Sequence, residues 1–247
     1  MIKVLEKEIG IGGDYQFNAY FSRNPIHANW HQNKFHVLRN FVEDKIQKRA
    51  LDIGAGSGLF ELLFSKDFSA ITALDYNDDS TKFIESLCEQ NHIGNVKTII
   101  LDIDGITSME QTSKFDLVLI LDVIEHLDTK TVDGLLTTLH GLLNTGGKVV
   151  VSTPNYGGVW NITEWLADLF KLVPRLNGAQ HINRFDKKKL AACFEKNGYS
   201  LVRSTTINTF SYLVPVKSLS KKLVDVETKM DLPFGNLIVA EFVPQKQ

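Results

Sequence analysis

Hydrophobic positions along this chain change period several times, and each change marks an element boundary. Residues 49–53 form a short apolar run, Arg49-Ala50-Leu51-Asp52-Ile53, that predicts a strand. It runs straight into Gly54-Ala55-Gly56-Ser57-Gly58, and residues 59–66 then suit a helix. Residues 70–74 predict a second strand, ending at Asp75. Residues 78–91 place Phe83, Ile84, Leu87 and Cys88 at helical spacing. Residues 96–101 predict a third strand ending at Asp102, and residues 115–121 a fourth, apolar enough to be buried on both faces. Residues 129–143 predict a helix stopped by Asn144-Thr145-Gly146-Gly147, and residues 148–152 a fifth strand before Pro154. Residues 186–197 predict a helix, with Asp186 as N-cap and Gly198 as its stop. Strands at 199–207 and 237–243 close the pattern. Strands alternating with helices in this way predict an α/β fold: a doubly wound, mostly parallel sheet of seven strands with helices on both faces.

Three segments stand outside the alternation. Residues 1–48 form an N-terminal cap with a helical stretch over about 29–47. Residues 154–184 follow the fifth strand, and residues 208–236 separate the last two. No Pro/Gly/Ser-rich linker divides the chain, so residues 1–247 are read as a single domain. Its cofactor-binding core is 49–153, its lid insert is 154–184, and 185–247 complete the sheet. In doubly wound sheets, ligands bind beyond the carboxyl ends of the strands, where such inserts lie. Within the second insert, Ile162, Trp165, Leu166, Leu169 and Phe170 make an apolar stripe on a helix of about three turns. Such a stripe is either core, a lid over an apolar acceptor, or a membrane-surface helix. Trp30, His31 and Lys34 supply an opposite wall.

Composition narrows the classes. A net charge of −2 gives no global case for nucleic acid. Cys88 and Cys193 lie far apart in helical patterns, as buried thiols in a reducing compartment would. The first residues mix charges without an apolar core, and no apolar run reaches membrane-spanning length, so the expectation is cytoplasmic.

Three alternating glycines between a strand and a helix let a ligand lie against main chain. A nicotinamide or flavin dinucleotide would call for G-x-G-x-x-G with an acid about twenty positions on. Here the spacing is G-x-G-x-G, with Asp75 as the acid. Asp52 precedes the loop, Asp102 ends the third strand, and Gly146-Gly147 precede the fifth. The order Leu51-Asp52-Ile53-Gly54-Ala55-Gly56-Ser57-Gly58, Leu74-Asp75-Tyr76-Asn77, Leu101-Asp102-Ile103-Asp104 and Phe115 through Asp122-Val123-Ile124-Glu125-His126-Leu127 resembles the class I S-adenosylmethionine-dependent methyltransferases. Gln180-His181-Ile182-Asn183-Arg184-Phe185 also matches, and so does the Leu143 to Gly147 turn, with Thr145 in place of the usual Pro. The Val-Ile-Glu-His-Leu variant is similar to the small-molecule branch containing the ubiquinone-biosynthesis O-methyltransferases.

The resemblance implies a Rossmann-like fold, S-adenosylmethionine as cofactor, and a role for each matching residue. Gly54, Ala55, Gly56 and Gly58 would hold the methionine portion against backbone. Asp52 would face its ammonium, with main chain at Leu121 and Asp122 completing that side. Asp75 would accept from the ribose hydroxyls beside Tyr76, and Asp102 from the adenine amino group, with Ile103 as an apolar edge. The alternative for Asp75 and Asp102 is a helix cap, and for Asp52 the satisfaction of loop amides.

Methyl transfer is an in-line displacement that needs alignment and sometimes a proton acceptor. His126 and His181 both fall at the right end of the sheet for that role. Asp122, Glu125 and His126 form a D-x-x-E-H cluster whose helical spacing would place them on one turn, a low-ranking candidate for a divalent cation. No Asn/Asp-Pro-Pro-aromatic run follows the fourth strand, which disfavours nucleic-acid base methylation. The expectation is a methyltransferase acting on a small or lipid-like acceptor, at oxygen, with peripheral membrane contact allowed. The alternatives are a non-catalytic S-adenosylmethionine-binding or regulatory protein and, below it, an NAD-dependent dehydrogenase.

Overall fold

The structure, a computed structural model, describes residues 12–42, 48–108, 114–169 and 181–245. Its centre is a seven-stranded sheet: β1 (Arg49–Ile53), β2 (Ala70–Asp75), β3 (Val96–Ile100), β4 (Phe115–Leu121), β5 (Leu143–Pro154), β6 (Tyr199–Ile207) and β7 (Leu237–Pro244). The spatial order is β3-β2-β1-β4-β5-β7-β6. β7 runs antiparallel to both neighbours and every other pairing is parallel. The helices are α1 (Tyr15–Tyr20), α2 (Pro25–Leu38), α3 (Leu59–Phe64), α4 (Asp78–Gln90), α5 (Thr129–Leu142), α6 (Trp160–Leu169), α7 (Lys187–Lys196) and α8 (Lys217–Met230).

The period-2 alternation of the strands divides the core into two layers. Leu51, Ile53, Val118, Ile120, Val149 and Val151 pack on one face against α5 and α7. Ala50, Leu117, Leu119, Leu121, Val150 and Val239 pack on the other, against α2, α3 and Val224 of α8. Ile84 and Cys88 bring α4 down onto Ala73. Burying a side chain of this size stabilises the fold by about 1.5–3 kcal/mol, which makes the alternation a strong constraint on register.

Asp186 caps α7 as the sequence predicts, its Oδ1 accepting from the Lys189 amide at 2.8 Å. The largest departures from the expected boundaries fall at two elements. The N-terminal helix starts at Pro25, because Asn24 caps it by accepting from the Ile26 and His27 amides at 3.0 and 3.4 Å. Described helix ends at Leu38, and residues 43–47 lie outside the described residues. β5 starts at Leu143, not after the glycine pair, because Leu143 already pairs with Phe115. Cys88 is buried and Cys193 half-buried, both as free thiols.

Candidate active site

In this strand order the chain reverses direction across the sheet between β1 and β4, so the loops after them part and leave a crevice. The glycine loop sits there. Gly54, Gly56 and Gly58 have φ of 74°, 56° and 71°. At Gly54 the requirement is double, since a Cβ would lie 2.4 Å from Val123 Cγ2. The amides of Gly54 and Ala55 both donate to the Leu74 carbonyl, at 2.8 and 2.9 Å, tying the loop to β2.

Asp75 ends β2 and is 7 % exposed. Its Oδ2 accepts from the Gly56 amide at 2.8 Å and its Oδ1 from the Asn77 amide at 2.9 Å. Burial raises its pKa, against the opposing pull of these amides. A carboxylate has about four acceptor sites, and the Gly56, Asn77 and Tyr76 amides take three, so one remains for a hydroxyl donor. Tyr76, beside it, is exposed. Asp102 turns its Oδ1 to the Gly105 amide at 2.9 Å, capping a short helical turn that starts at Ile103. The capping role weighed for Asp102 is thus present in the molecule, at one of its two oxygens.

Beneath the loop, Asp52 is 2 % exposed and its Oδ1 meets no hydrogen-bond donor among the described residues. Burial, then the neighbouring Asp75, pushes its pKa up to about 7. It lines a cavity with Gln16, Lys34, Gly54, Ala55 and Leu121. Lys34 reaches in from α2 and pairs with Asp122 Oδ2 at 2.6 Å, itself only 3 % exposed. Asp122 adopts φ of 57°, a left-handed conformation that turns its carboxylate toward Lys34 and the Ser152 hydroxyl, which donates at 2.6 Å. Burial works to raise the Asp122 pKa, but Lys34 and Ser152 outweigh it and hold the group below the usual range.

This geometry corrects the expected D-x-x-E-H turn. Ile124–His126 is a single 3₁₀ turn and Asp122 faces the other way, so the three do not share a helical face. The ligand atoms that converge among the described residues are those of Glu125, His126 and His181, all within 4.8 Å of one another. His181 lies at the end of the second insert, in a segment laced to the turn after β4: the Asn183 amide donates to the Glu125 carbonyl at 3.0 Å, and the Asn183 side chain to the Leu127 carbonyl at 2.5 Å. The rings of His126 and His181 are 5.0 Å apart. His181 Nδ1 is 2.6 Å from the Tyr156 hydroxyl. Burial, then His126, lowers the His181 pKa to about 4. Burial, then Asp122, raises that of Glu125 well above the usual range.

An aromatic wall stands beside these histidines. Trp160 of α6 lies 5.5 Å from Trp30 of α2 and 6.2 Å from His181, and Tyr212 meets Trp30 edge-on at 5.0 Å. Among the described side chains of α6, Trp160 turns inward and Thr163 meets Tyr212. Ile162 and Trp165, read as part of an apolar stripe, are each 60 % exposed, so they are not core. The side chains of Leu166 and Leu169, and Phe170 with them, lie outside the described residues.

The site fits an adenosyl amino acid. A cradle that a Cβ would fill, an orphaned acid in the cavity, and a strand-end acid with a spare acceptor site match its backbone-hugging, cationic and diol parts. Sequence reasoning missed Glu61, which meets Asp52; Gln16, whose Oε1 would lie 3.1 Å from a Cβ on Gly56; and Tyr156. Glu61 alone left a trace: a charge on an otherwise apolar helix.

Comparison with known proteins places this geometry. Over residues 28–204 the chain matches a family model described as a methyltransferase domain. Among curated proteins none matches. The fold is similar to magnesium protoporphyrin IX methyltransferase from Synechocystis PCC 6803, solved with S-adenosylhomocysteine bound, at 14% identity and a TM-score of 0.63, covering 98% of this chain and 99% of that one. It is similar to the N-methyltransferase NodS from Bradyrhizobium japonicum WM9 in complex with S-adenosylhomocysteine, at 13% identity and a TM-score of 0.61, covering 99% and 98%. A SAM-dependent methyltransferase from Archaeoglobus fulgidus is similar at 18% identity and a TM-score of 0.61, covering 87% and 93%. With the family model spanning well over half of its length, the chain belongs to the methyltransferase-domain family.

Proposed function

We propose that this chain transfers a methyl group from S-adenosylmethionine to a small or lipid-like acceptor, at oxygen, with His181 accepting the proton that the acceptor gives up. The observation that carries the reading is the His181–Tyr156 contact at 2.6 Å, set against His126 at the carboxyl end of the sheet. The bound cofactor supplies a methyl group already activated on a sulfonium. The protein's work is placement. The glycine loop and Asp52 would hold the amino-acid portion, Leu121 and Asp122 its ammonium side, Asp75 beside Tyr76 the ribose, and Asp102 with Ile103 the adenine. Trp30, Trp160 and Tyr212 offer an apolar wall that excludes water and aligns a hydrophobic acceptor.

His181 is neutral at ordinary pH, as a base must be, because burial disfavours its charged form. In the tautomer whose Nδ1–H is donated to the Tyr156 oxygen, Nε2 keeps a lone pair for the acceptor's proton. His126 lies close enough to share that role. Incubating the chain with a metabolite extract and S-adenosylmethionine labelled with carbon-13 at the methyl tests the reading. The expected product is a small or lipid-extractable molecule whose label resonates as an O-methyl carbon. An N-methyl or C-methyl product, or methylated nucleic acid, would overturn it.

A second reading has its own observation. Glu125, His126 and His181 present converging ligand atoms. Tyr156 on His181 Nδ1 and Thr153 on Glu125 Oε2 at 3.0 Å resemble the outer-shell partners of metal ligands. There a divalent cation would orient the acceptor oxygen. Loss of transfer on chelation, restored by Mn²⁺ or Zn²⁺, favours the cation; transfer indifferent to chelator favours His181 as base. The family match supports neither a non-catalytic binder nor a dehydrogenase.

A further inference from the structure

We propose that Glu61 is a positioning residue for the cofactor: it forms an acid pair with Asp52 beneath the glycine loop, and the pair gives up a proton when the cofactor's ammonium arrives. This rests on reading Asp52 as the acid that faces the ammonium. Glu61 lies on α3, directly after the loop, and is 0 % exposed. Both of its carboxyl oxygens and Asp52 Oδ1 are buried without a donor among the described residues. No donor among the described residues stands between the two carboxyls, which are neighbours able to hydrogen-bond to each other once one of them is protonated. Two ionised carboxylates have nothing to donate and repel, so contact in a buried site requires a proton between them.

The surroundings decide when that proton leaves. Asp75 of β2 adds negative charge from one side and favours keeping it. Lys34 of α2 works the other way, but its ammonium is engaged by Asp122. Cys88 of α4 faces Glu61 as a thiol that burial keeps protonated, with its pKa near 11. The pair is therefore short of positive charge, and Asp52 alone of its members lines the cavity. A cation entering there replaces the proton as counter-charge. Glu61, fixed by α3, holds Asp52 aimed at the cavity throughout. Loading the cofactor then releases about one proton, and affinity rises about tenfold per pH unit below the pair's titration.

The test is calorimetric titration of the intact chain at about pH 6.5, where the ligand's amine is charged, in buffers of different ionisation enthalpy. S-adenosylhomocysteine is compared with 5′-methylthioadenosine, which lacks the amino-acid portion. The expected result is release of about one proton with the first ligand and none with the second. Glu61→Gln should still bind S-adenosylhomocysteine, with the release abolished and the pH dependence flattened, because the amide donates to an already ionised Asp52. No buffer dependence with the wild-type chain would overturn the proposal. Equal release with both ligands would keep the shared proton but remove the ammonium as its trigger, overturning the proposal through the reading of Asp52. Failure of both ligands to bind would overturn the cofactor site itself, and the proposal with it.

Discussion

The donor and acceptor halves proposed for the site are built from different materials. The donor half lies at the ends of β1 to β4, where main chain does most of the work: the loop amides of Gly54 and Ala55 on Leu74, the Gly56 amide on Asp75, and the left-handed turn at Asp122. The acceptor half is side chains, brought from α2, the turn after β4, α6, the segment before α7 and the turn holding Tyr212. Main chain positioned by strand ends is set by sheet register, so it tolerates almost no change in residue type. Rings brought together from five segments depend on packing alone, and they can be exchanged to suit another acceptor without disturbing the donor. A fold divided in this way keeps one chemistry and varies its target.

That division can be broken most sharply at His181. His181→Ala should lower the rate of methyl transfer by about 10²–10⁴-fold while leaving S-adenosylhomocysteine affinity unchanged. Equal loss of cofactor binding, read by calorimetry, would mean the halves are not separable there. Asp75→Ala should do the opposite. It removes the acceptors for the Gly56 and Asn77 amides and for the ribose, weakening cofactor binding by about 2–3 kcal/mol. Affinity that survives the change would remove Asp75 from the donor half.

Acid should act on the acceptor side next. The folded-state pKa of His181 is lowered to about 4 by burial and His126, and that of His31 to about 3 by burial, Lys34 and His27. For a lowered histidine the unfolded chain binds the proton first. The neutral form's stability is therefore complete above the unfolded pKa of about 6.5 and is lost as pH falls toward the folded value. In that window the raised acids Asp52, Glu61 and Glu125 act with the opposite sign, so the histidine part is read as a difference. Between about pH 6.5 and 4.5 the unfolding free energy from urea titration should fall by on the order of 2 kcal/mol more in the parent chain than in His181→Asn or His31→Asn, and equal changes would contradict the burial of that ring. The smallest effect belongs to Tyr156→Phe. Losing the bond to His181 Nδ1 should cost about 1 kcal/mol, a several-fold fall in turnover with a shifted pH–rate profile and unchanged cofactor affinity.

The same division explains what could be read from the sequence. The loop, Asp52, Asp75 and the strand ends were legible because each obeys a local rule: period-2 burial, glycine where φ is positive, an acid at a strand end. The order of strands placed those ends together. The acceptor side obeys no local rule. Tyr156 is an ordinary residue after Pro154 until the chain returns at His181 and puts a ring nitrogen 2.6 Å away. The D-x-x-E-H letters suggested one helical turn, and Asp122 broke it by taking a positive φ to meet Lys34, a partner 88 positions earlier. Asn24-Pro25 carried a readable helix start that the apolar pattern alone placed too late. In α6, periodicity spoke for burial at Ile162 and Trp165, yet both face outward, since a stripe states amphipathicity and not which face meets the protein.

Asn33 carries a consequence for how the molecule is made. Buried on α2, its side-chain amide reaches Asn208 at 3.0 Å, Ser211 at 3.3 Å and Ser220 at 3.1 Å, partners that lie 175 to 187 positions later. The helix bearing Trp30 and Lys34 is synthesised 175 to 187 positions before its polar anchor. During synthesis its apolar side, Phe35, Val37 and Leu38, can pack on the sheet before that anchor exists. A chain cut short before Ser220 would lack one of the polar contacts that latch the helix.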